Sequence, residues 1–277
     1  MPYIDLPETD GQPPLCLYFR RFAGPAAAPQ LVLLHELGGT LESWIPFAER
    51  LSDRYDVYAF DQRCAGRSEH TGHPFTLWDL ARDAVRFADA AGIRGRFALM
   101  GLAMGAVTAA HVAARHGDRL WALILCDGTP SIDEKSSSYL LNRAGKVRAD
   151  GMRVVAETSY RNAFKNMFGL EDPGAWGQYR ERFTCNAPIS YALHSEALAK
   201  FRLDDDDFAR ISAPTLVLTG EHDFIWPPET GAALAARIGG ARFETVQNAA
   251  HFPPLQRPDT MADRVLPFLR HLENEES

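Results

Sequence analysis

The sequence predicts an α/β fold: a mostly parallel, eight-stranded sheet with helices on both faces and a helical segment inserted late in the order. Three observations carry this. Short runs such as LVLL (31–34) and LWALIL (120–125) are apolar at every position, as strands covered on both faces are. Between them lie segments with apolar residues at helical spacing. Strand and helix alternate, which a parallel sheet with crossover helices requires.

The first 30 residues alternate in strand fashion around the turn ETDGQPP and predict a β-hairpin with LCLYFRRF as its second strand. LVLL follows and ends at HELGGT. Leu41, Trp44, Ile45, Ala48 and Leu51 then recur at helical spacing behind Thr40, a candidate N-cap. VYAF (57–60) is the next strand. Thr76-Leu77-Trp78-Asp79 reads as a capping box, opening a helix with Leu77, Leu80, Ala81, Ala84, Val85 and Ala88 on one face and ending at Gly92. FALM (97–100) is a strand, and an Ala-rich helix runs from Met104 to a stop at Gly117. After residues 120–125 the rhythm breaks. Residues 129–208 are polar and helix-prone, with scattered aromatics (Tyr139, Phe164, Phe168, Trp176, Tyr179, Tyr191). They predict a helical cap inserted into a core of residues 1–128 and 209–277. DDDD (204–207) is expected as a solvated lead-in to the returning strand in SAPTLVLTGEHD. A helix near 230–238, the strand RFETVQN and a last helix over about 259–271 complete the chain.

A length of 277 residues suits one large α/β domain with such a cap. A net charge of −7 without a Lys/Arg-rich patch argues against nucleic acid as a partner. No apolar run reaches the length of a membrane span, and the first 15 residues lack the regions of a signal peptide. The four cysteines (Cys16, Cys64, Cys126, Cys185) form no CxxC pair, which argues against a disulfide framework or a zinc site. The expectation is a cytoplasmic protein, monomeric or homo-oligomeric, that acts on a small molecule without metal or cofactor.

Ligand chemistry in a parallel sheet gathers at the carboxyl ends of its strands. Those ends carry His35-Glu36-Leu37-Gly38-Gly39, the run from Asp61 to Ser68, Gly101-Leu102-Ala103-Met104-Gly105, Gly220-Glu221-His222-Asp223 and Ala249-Ala250-His251. The third has the layout of a nucleophile elbow, G-x-S-x-G between strand and helix, with alanine where the serine would stand. LVLLHELGGT, DQRCAGRS, GLAMGA, APTLVLTGEHDFIWP and NAAHFPPLQRP occur in the order and spacing of the α/β-hydrolases, which the whole chain resembles. Within that family it is most similar to 3-oxoadipate enol-lactonases, in length and in the stretch AGKVRADGMRVVAE.

The resemblance implies that Ala103 holds the nucleophile position, that His251 is the general base and that Asp223 orients it. The backbone N–H groups of Leu37 and Met104 would form the oxyanion hole. Asp127 is a fallback acid, and strand alternation turns His222 away. Ser43 and Ser68 read as structural. Glu36, Arg143, Lys146 and Phe224 are candidates to line the substrate site, Arg143 and Lys146 by meeting a substrate carboxylate or else as solvated charges. Glu36 and Cys64 stand where the family carries glycine. Cys64 reads as structural. Glu36 is expected to pair sideways with Arg63 or Arg67, or to orient a substrate group.

Three explanations of Ala103 compete. It is a serine-to-alanine form of a hydrolase of small esters or lactones, with amide or C–C bond cleavage as neighbouring chemistries. Or alanine is natural and His251 with Asp223 works as a cofactor-free base, in an oxygenase, decarboxylase or lyase. Or the chain is a non-catalytic binder. The first is preferred, because a binder needs no acid–histidine pair and a base-only enzyme needs no glycine on each side of so tight a turn.

Overall fold

A computed structural model of the chain describes residues 2–9, 11–165 and 173–276. Its eight strands are β1 (Tyr3–Leu6), β2 (Leu15–Phe22), β3 (Gln30–Leu34), β4 (Asp56–Phe60), β5 (Phe97–Leu102), β6 (Leu120–Cys126), β7 (Thr215–Gly220) and β8 (Arg242–Val246). They form one sheet in the order β1-β2-β4-β3-β5-β6-β7-β8. The expected hairpin forms, and β1–β2 and β2–β4 pair antiparallel. Every other neighbouring pair is parallel. The all-apolar runs are buried along their whole length in β5, β6 and β7. β8, at the edge, is only half-covered, and its sequence RFETV is correspondingly polar.

The helices follow the predicted rhythm: α1 (Ile45–Leu51), α2 (Leu77–Ala90), α3 (Met104–His116), then α4 (Glu134–Asp150), α5 (Arg153–Ala163), α6 (Pro173–Thr184), α7 (Pro188–Ala199) and α8 (Asp205–Ala209) between β6 and β7, and finally α9 (Pro228–Ala236), α10 (Pro253–Gln256) and α11 (Pro258–Glu276). The capping box forms as expected, with Thr76 and Asp79 each holding the other's backbone N–H. Two local expectations change. The helix expected over 41–51 begins as a 3-10 turn, Leu41–Trp44, which Thr40 caps. Pro46 has no N–H to give the Glu42 carbonyl, so an α-type bond cannot form there; the Ile45 N–H binds that carbonyl instead. The run DDDD leads toward β7 with Asp204, Asp205 and Asp206 exposed as expected, but it also caps and opens a short helix, α8. Asp204 caps it by accepting from the Asp207 N–H (2.8 Å), and acidic side chains favour a first turn. Asp207 is buried against Arg115 and Arg210. Phe168 lies outside the described residues, as does the side chain of Trp176.

Each face of the sheet has its own apolar layer. Phe87 of α2 and Val112 of α3 pack with Leu99 on one face. Trp44, Phe47 and Leu51, together with Val265 and Leu269 of α11, cover the other. Among the described residues no helix is long and apolar enough to cross a membrane.

The junction of β5 and α3 is very tight. Ala103 turns the chain at φ 51°, ψ −112°, a strained conformation for a residue with a Cβ. The turn leaves no room for side chains on either side. A Cβ on Gly101 would lie 2.1 Å from the Gly105 carbonyl oxygen, and one on Gly105 would lie 2.1 Å from the Leu34 carbonyl oxygen. Both obstacles are backbone, which cannot swing away. Gly105→Ala is therefore expected to cost about 3 kcal/mol or to prevent folding. A urea midpoint within experimental error of the parent's would show that the α3–β3 contact can relax.

Candidate active site

The sheet order puts the ends of β3, β5, β6, β7 and β8 side by side, with the chain reversing direction across the sheet between β3 and β5. That reversal is where α/β sheets open a crevice. Loops carrying Glu36 and Leu37, Ala103, Asp127, Asp223 and His251 all emerge at this edge.

His251 and Asp223 meet directly: Nδ1 of the imidazole lies 2.8 Å from Asp223 Oδ2. The other carboxylate oxygen accepts from the backbone N–H groups of Ile225 (2.7 Å) and Trp226 (3.2 Å). Asp223 is thus held rigidly by both oxygens. Edge contacts from Trp226 and Phe252 fix the ring plane of His251. Burial by itself pulls the imidazole pKa down; the Asp223 carboxylate, helped by Asp127 and Glu36, more than reverses this, and His251 titrates above the usual histidine value. With Nδ1 occupied by Asp223, Nε2 is the nitrogen free to exchange a proton.

Asp127, fully buried at φ 46°, stands behind this pair. Its Oδ1 accepts from the Gly220 N–H (2.9 Å) and its Oδ2 from the Cys126 thiol (2.9 Å). Burial, and then the neighbouring charge of Asp223, push its carboxyl well above the usual range. Asp127, Asp223 and His251 bring three potential metal-ligand atoms within 4.8 Å of one another. Both carboxylates, however, spend their oxygens on backbone, thiol and imidazole donors. The arrangement is that of a proton-sharing network.

In front of the pair lies a cavity of about 290 Å³. Glu36, Leu37, Ala103, Met104 and His251 form its floor. Met104 is the first residue of α3, so its N–H has no intrahelical acceptor. Leu37 follows Glu36 on the loop after β3. His35 fixes that loop: it is fully buried, its Nδ1–H donates to the Glu36 carbonyl (2.8 Å) and its Nε2 accepts from the Gln62 N–H (3.0 Å).

Glu36 does not pair with Arg63 or Arg67. Arg63 is held by Asp83, and Arg67 reaches Glu42 at 3.3 Å. The Glu36 carboxylate instead lies against the bare Cα of Gly39, where a Cβ would sit 2.2 Å from its carboxyl carbon. Ser43 Oγ–H donates to its Oε1 (2.7 Å). Its Oε2 is buried with no hydrogen-bond partner among the described residues. Ser43 is structural in this sense, as is Ser68, which bridges the Asp61 carbonyl and the Tyr18 N–H. Cys64 adopts φ 60°, the backbone region that favours glycine, with its sulfur against Thr71. His222 is turned out beside Glu221, 3.8 Å away.

The remaining wall comes from the helices between β6 and β7. Arg143 of α4 is buried and lines the cavity; it is not a solvated charge. Lys146 is exposed on the same helix. Leu140, Arg143, Ala144 and Val147 define the buried face of α4, and Lys146 points roughly 110° away from its centre at 100° per residue. Phe224 lines the cavity mouth, half-exposed, with the Lys165 ammonium 3.4 Å from its ring centroid. Tyr139, Ser159, Tyr179 and Tyr191 also face the cavity. The sequence displays the tyrosines, but no spacing rule says which faces of a helix cluster turn inward.

The alpha/beta hydrolase fold profile matches residues 29–258. A thermophilic esterase from Thermogutta terrifontis superposes with a TM-score of 0.90 at 26% identity, covering 98% of each chain. The enol-lactonase from Burkholderia xenovorans LB400 superposes with a TM-score of 0.86 at 31% identity, covering 92% of this chain and 97% of its own. Proline iminopeptidase PfmaB from Pestalotiopsis fici is 27% identical over 270 residues, 88% of this chain and 93% of the relative. By their names the first two act on esters or lactones and the third is a peptidase, and the two solved structures share this chain's fold. With a profile match across most of its length, the chain belongs to the alpha/beta hydrolase fold family.

Proposed function

We propose that this is a serine-type hydrolase of a small ester or lactone in a nucleophile-deleted form, with alanine at position 103. The observation that carries the reading is the strained turn at Ala103. Its φ of 51° is costly, and it aims position 103 into the cavity that His251 also lines. A fold has reason to keep that strain where position 103 is meant to present an attacking atom.

With serine at 103, His251 Nε2 takes the hydroxyl proton as the oxygen attacks the carbonyl carbon. The Leu37 and Met104 N–H groups hold the oxyanion. The C–O bond to the leaving group breaks as His251 returns the proton to the departing oxygen. Water then repeats the sequence on the acyl-enzyme and regenerates serine. Asp223 keeps the imidazole oriented and stabilises its cation. Residues 129–208 serve as a cap over a core of 1–128 and 209–277, a division supported by cavity-lining residues on α4, α5, α6 and α7. With alanine at 103, what remains is binding, the N–H pair and a base that can act on water directly, worth roughly 10³–10⁴ over the uncatalysed rate.

One observation favours a second reading. The Glu36 carboxylate adjoins Leu37, and negative charge there opposes an oxyanion. That suits a base-only reaction of His251 with alanine as the natural residue.

Ala103→Ser is expected to raise kcat on γ-butyrolactone or methyl butyrate by at least about 10²-fold, against the roughly 10⁶ that losing such a nucleophile costs in subtilisin. His251→Ala in the serine background should return the rate to the parent's. A serine variant as inert as the parent overturns the hydrolase reading. The base-only reading predicts that the parent itself exchanges deuterium α to the lactone carbonyl and that His251→Ala does not; equal exchange in the two proteins sinks it.

The acid–base pair has its own signature. Asp223→Asn should lower the His251 pKa, followed by NMR through the imidazole Cε1 proton. In the parent, the folded pKa exceeds the unfolded value of about 6.5. The pair's stabilisation is therefore fully present below that value and is lost as pH rises through the folded pKa. An unchanged His251 titration in Asp223→Asn would show that Asp223 is not its partner.

A further inference from the structure

A base works only where its ring meets the proton, and a misplacement of about 1 Å can cost roughly 10²-fold in rate. The loop that carries His251 is held from two sides. The core holds its neighbours. The Ala249 carbonyl accepts from the His222 N–H (2.8 Å). Gln256 Oε1 of α10 accepts from the Ala250 N–H (2.8 Å) and from the Phe252 N–H (3.3 Å). The N–H of His251 itself goes elsewhere. It donates to the carbonyl of Ala163 (3.2 Å), the last residue of α5.

The last carbonyls of a helix have no intrahelical partner. Ala163 and His251 are both buried, so this carbonyl and this N–H satisfy each other away from water. Leaving either one unpaired there is costly. The backbone of the base is thus bonded to the segment between β6 and β7 as well as flanked by the core.

A set of ring contacts runs beside that bond. Phe164, just past the end of α5, packs on Phe252 (centroids 5.6 Å apart) and on Tyr179 of α6 (5.5 Å). Tyr179 packs on Phe252 in turn (4.7 Å), and Phe252 meets the imidazole edge-on (5.2 Å). Phe164, Tyr179 and Phe252 are all buried. Close-packed rings have little room to move independently, so a shift in one is passed to the next. Ala163, Tyr179, Phe252 and His251 line the cavity, whereas Phe164 is outside the lining set. Phe164 therefore reaches the site only through its neighbours.

We propose that the end of α5 positions the base. The Ala163 carbonyl fixes the backbone of His251, and Phe164, acting through Phe252, fixes its ring. The imidazole keeps its place only while α5 is seated on the loop after β8. Phe164 is a positioning residue. The positioning stands on these contacts alone; its effect on turnover rests on the hydrolase reading above.

The positioning is tested on the parent chain by amide hydrogen exchange and by NMR of the imidazole. Phe164→Ala should speed exchange of the His251 amide by at least about tenfold and shift its imidazole Cε1 proton signal. The Ala250 amide, held by Gln256, should keep the parent's rate. Phe201→Ala removes a ring just as buried, elsewhere between β6 and β7, and should leave the His251 signals as they are. A folded Phe164→Ala protein with the parent's His251 exchange and imidazole signal overturns the proposal. So does equal loosening of Ala250, or an equal response to Phe201→Ala. Where Phe164→Ala does not fold, Phe164→Leu carries the test: the His251 amide should exchange about threefold faster or more, and an unchanged rate overturns the proposal.

In the Ala103→Ser protein, Phe164→Ala should lower kcat on methyl butyrate by about tenfold or more, with KM within about twofold. Phe164→Tyr should restore most of the loss. A loss confined to KM would make Phe164 a binding residue and overturn the positioning role. If the serine variant cleaves no ester while the His251 amide still responds to Phe164, the hydrolase reading fails and the positioning stands.

Discussion

The site depends on one close approach of backbone to backbone. The first turn of α3 lies against the last residue of β3, so near that Gly105 has only a hydrogen where the Leu34 carbonyl oxygen passes. This contact sets the distance between the loop carrying Glu36 and Leu37 and the turn carrying Ala103 and Met104. Leu37 and Met104 line one cavity because β3 and β5 are neighbours and α3 cannot back away. A side chain at either elbow glycine would move all of these groups together.

Around that fixed geometry the charges are arranged in depth. Asp127 is closest to the sheet, pushed toward its neutral form by burial and by the charge of Asp223. Asp223 is tied down by two backbone N–H groups and hands its second oxygen to His251. The imidazole faces the cavity, which Arg143 of α4 also lines. Buried polar groups of this kind are costly unless satisfied. In this network the oxygens of Asp127 and Asp223 are satisfied, and Glu36 Oε2, in the cavity-lining set, is buried without a hydrogen-bond partner among the described residues.

The fold and the strand-end residues were legible in the sequence because each depends on local pattern. Runs apolar at every position demand cover on both faces, and the resemblance supplied the order of the motifs. Thr76 and Asp79 formed their capping box because its partners lie three residues apart. Expectations failed where a local rule met a competing one. Pro46 withheld an N–H and turned the start of a helix into a 3-10 turn. Asp204 found a backbone donor and made a helix of an acidic run. The partner of Glu36 was misread because Ser43 and the gap at Gly39 are brought to it by the return of the loop, while Arg63 is drawn off by Asp83 on α2.

Sequence by itself determined the sheet, the layout of the elbow and the absence of a hydroxyl at position 103, since these follow from residue type and spacing within one element or motif, and the resemblance pointed to Asp223 and His251 as the candidate acid and base. Tertiary structure decided what Arg143, Lys146 and Glu36 do. Arg143 and Lys146 are three residues apart on one helix and carry the same charge. Only the packing of α4 against its neighbours makes one a buried wall of the cavity and leaves the other in water. Burial is a property of what lies opposite a side chain, and a helix does not record in its own sequence what will pack against it.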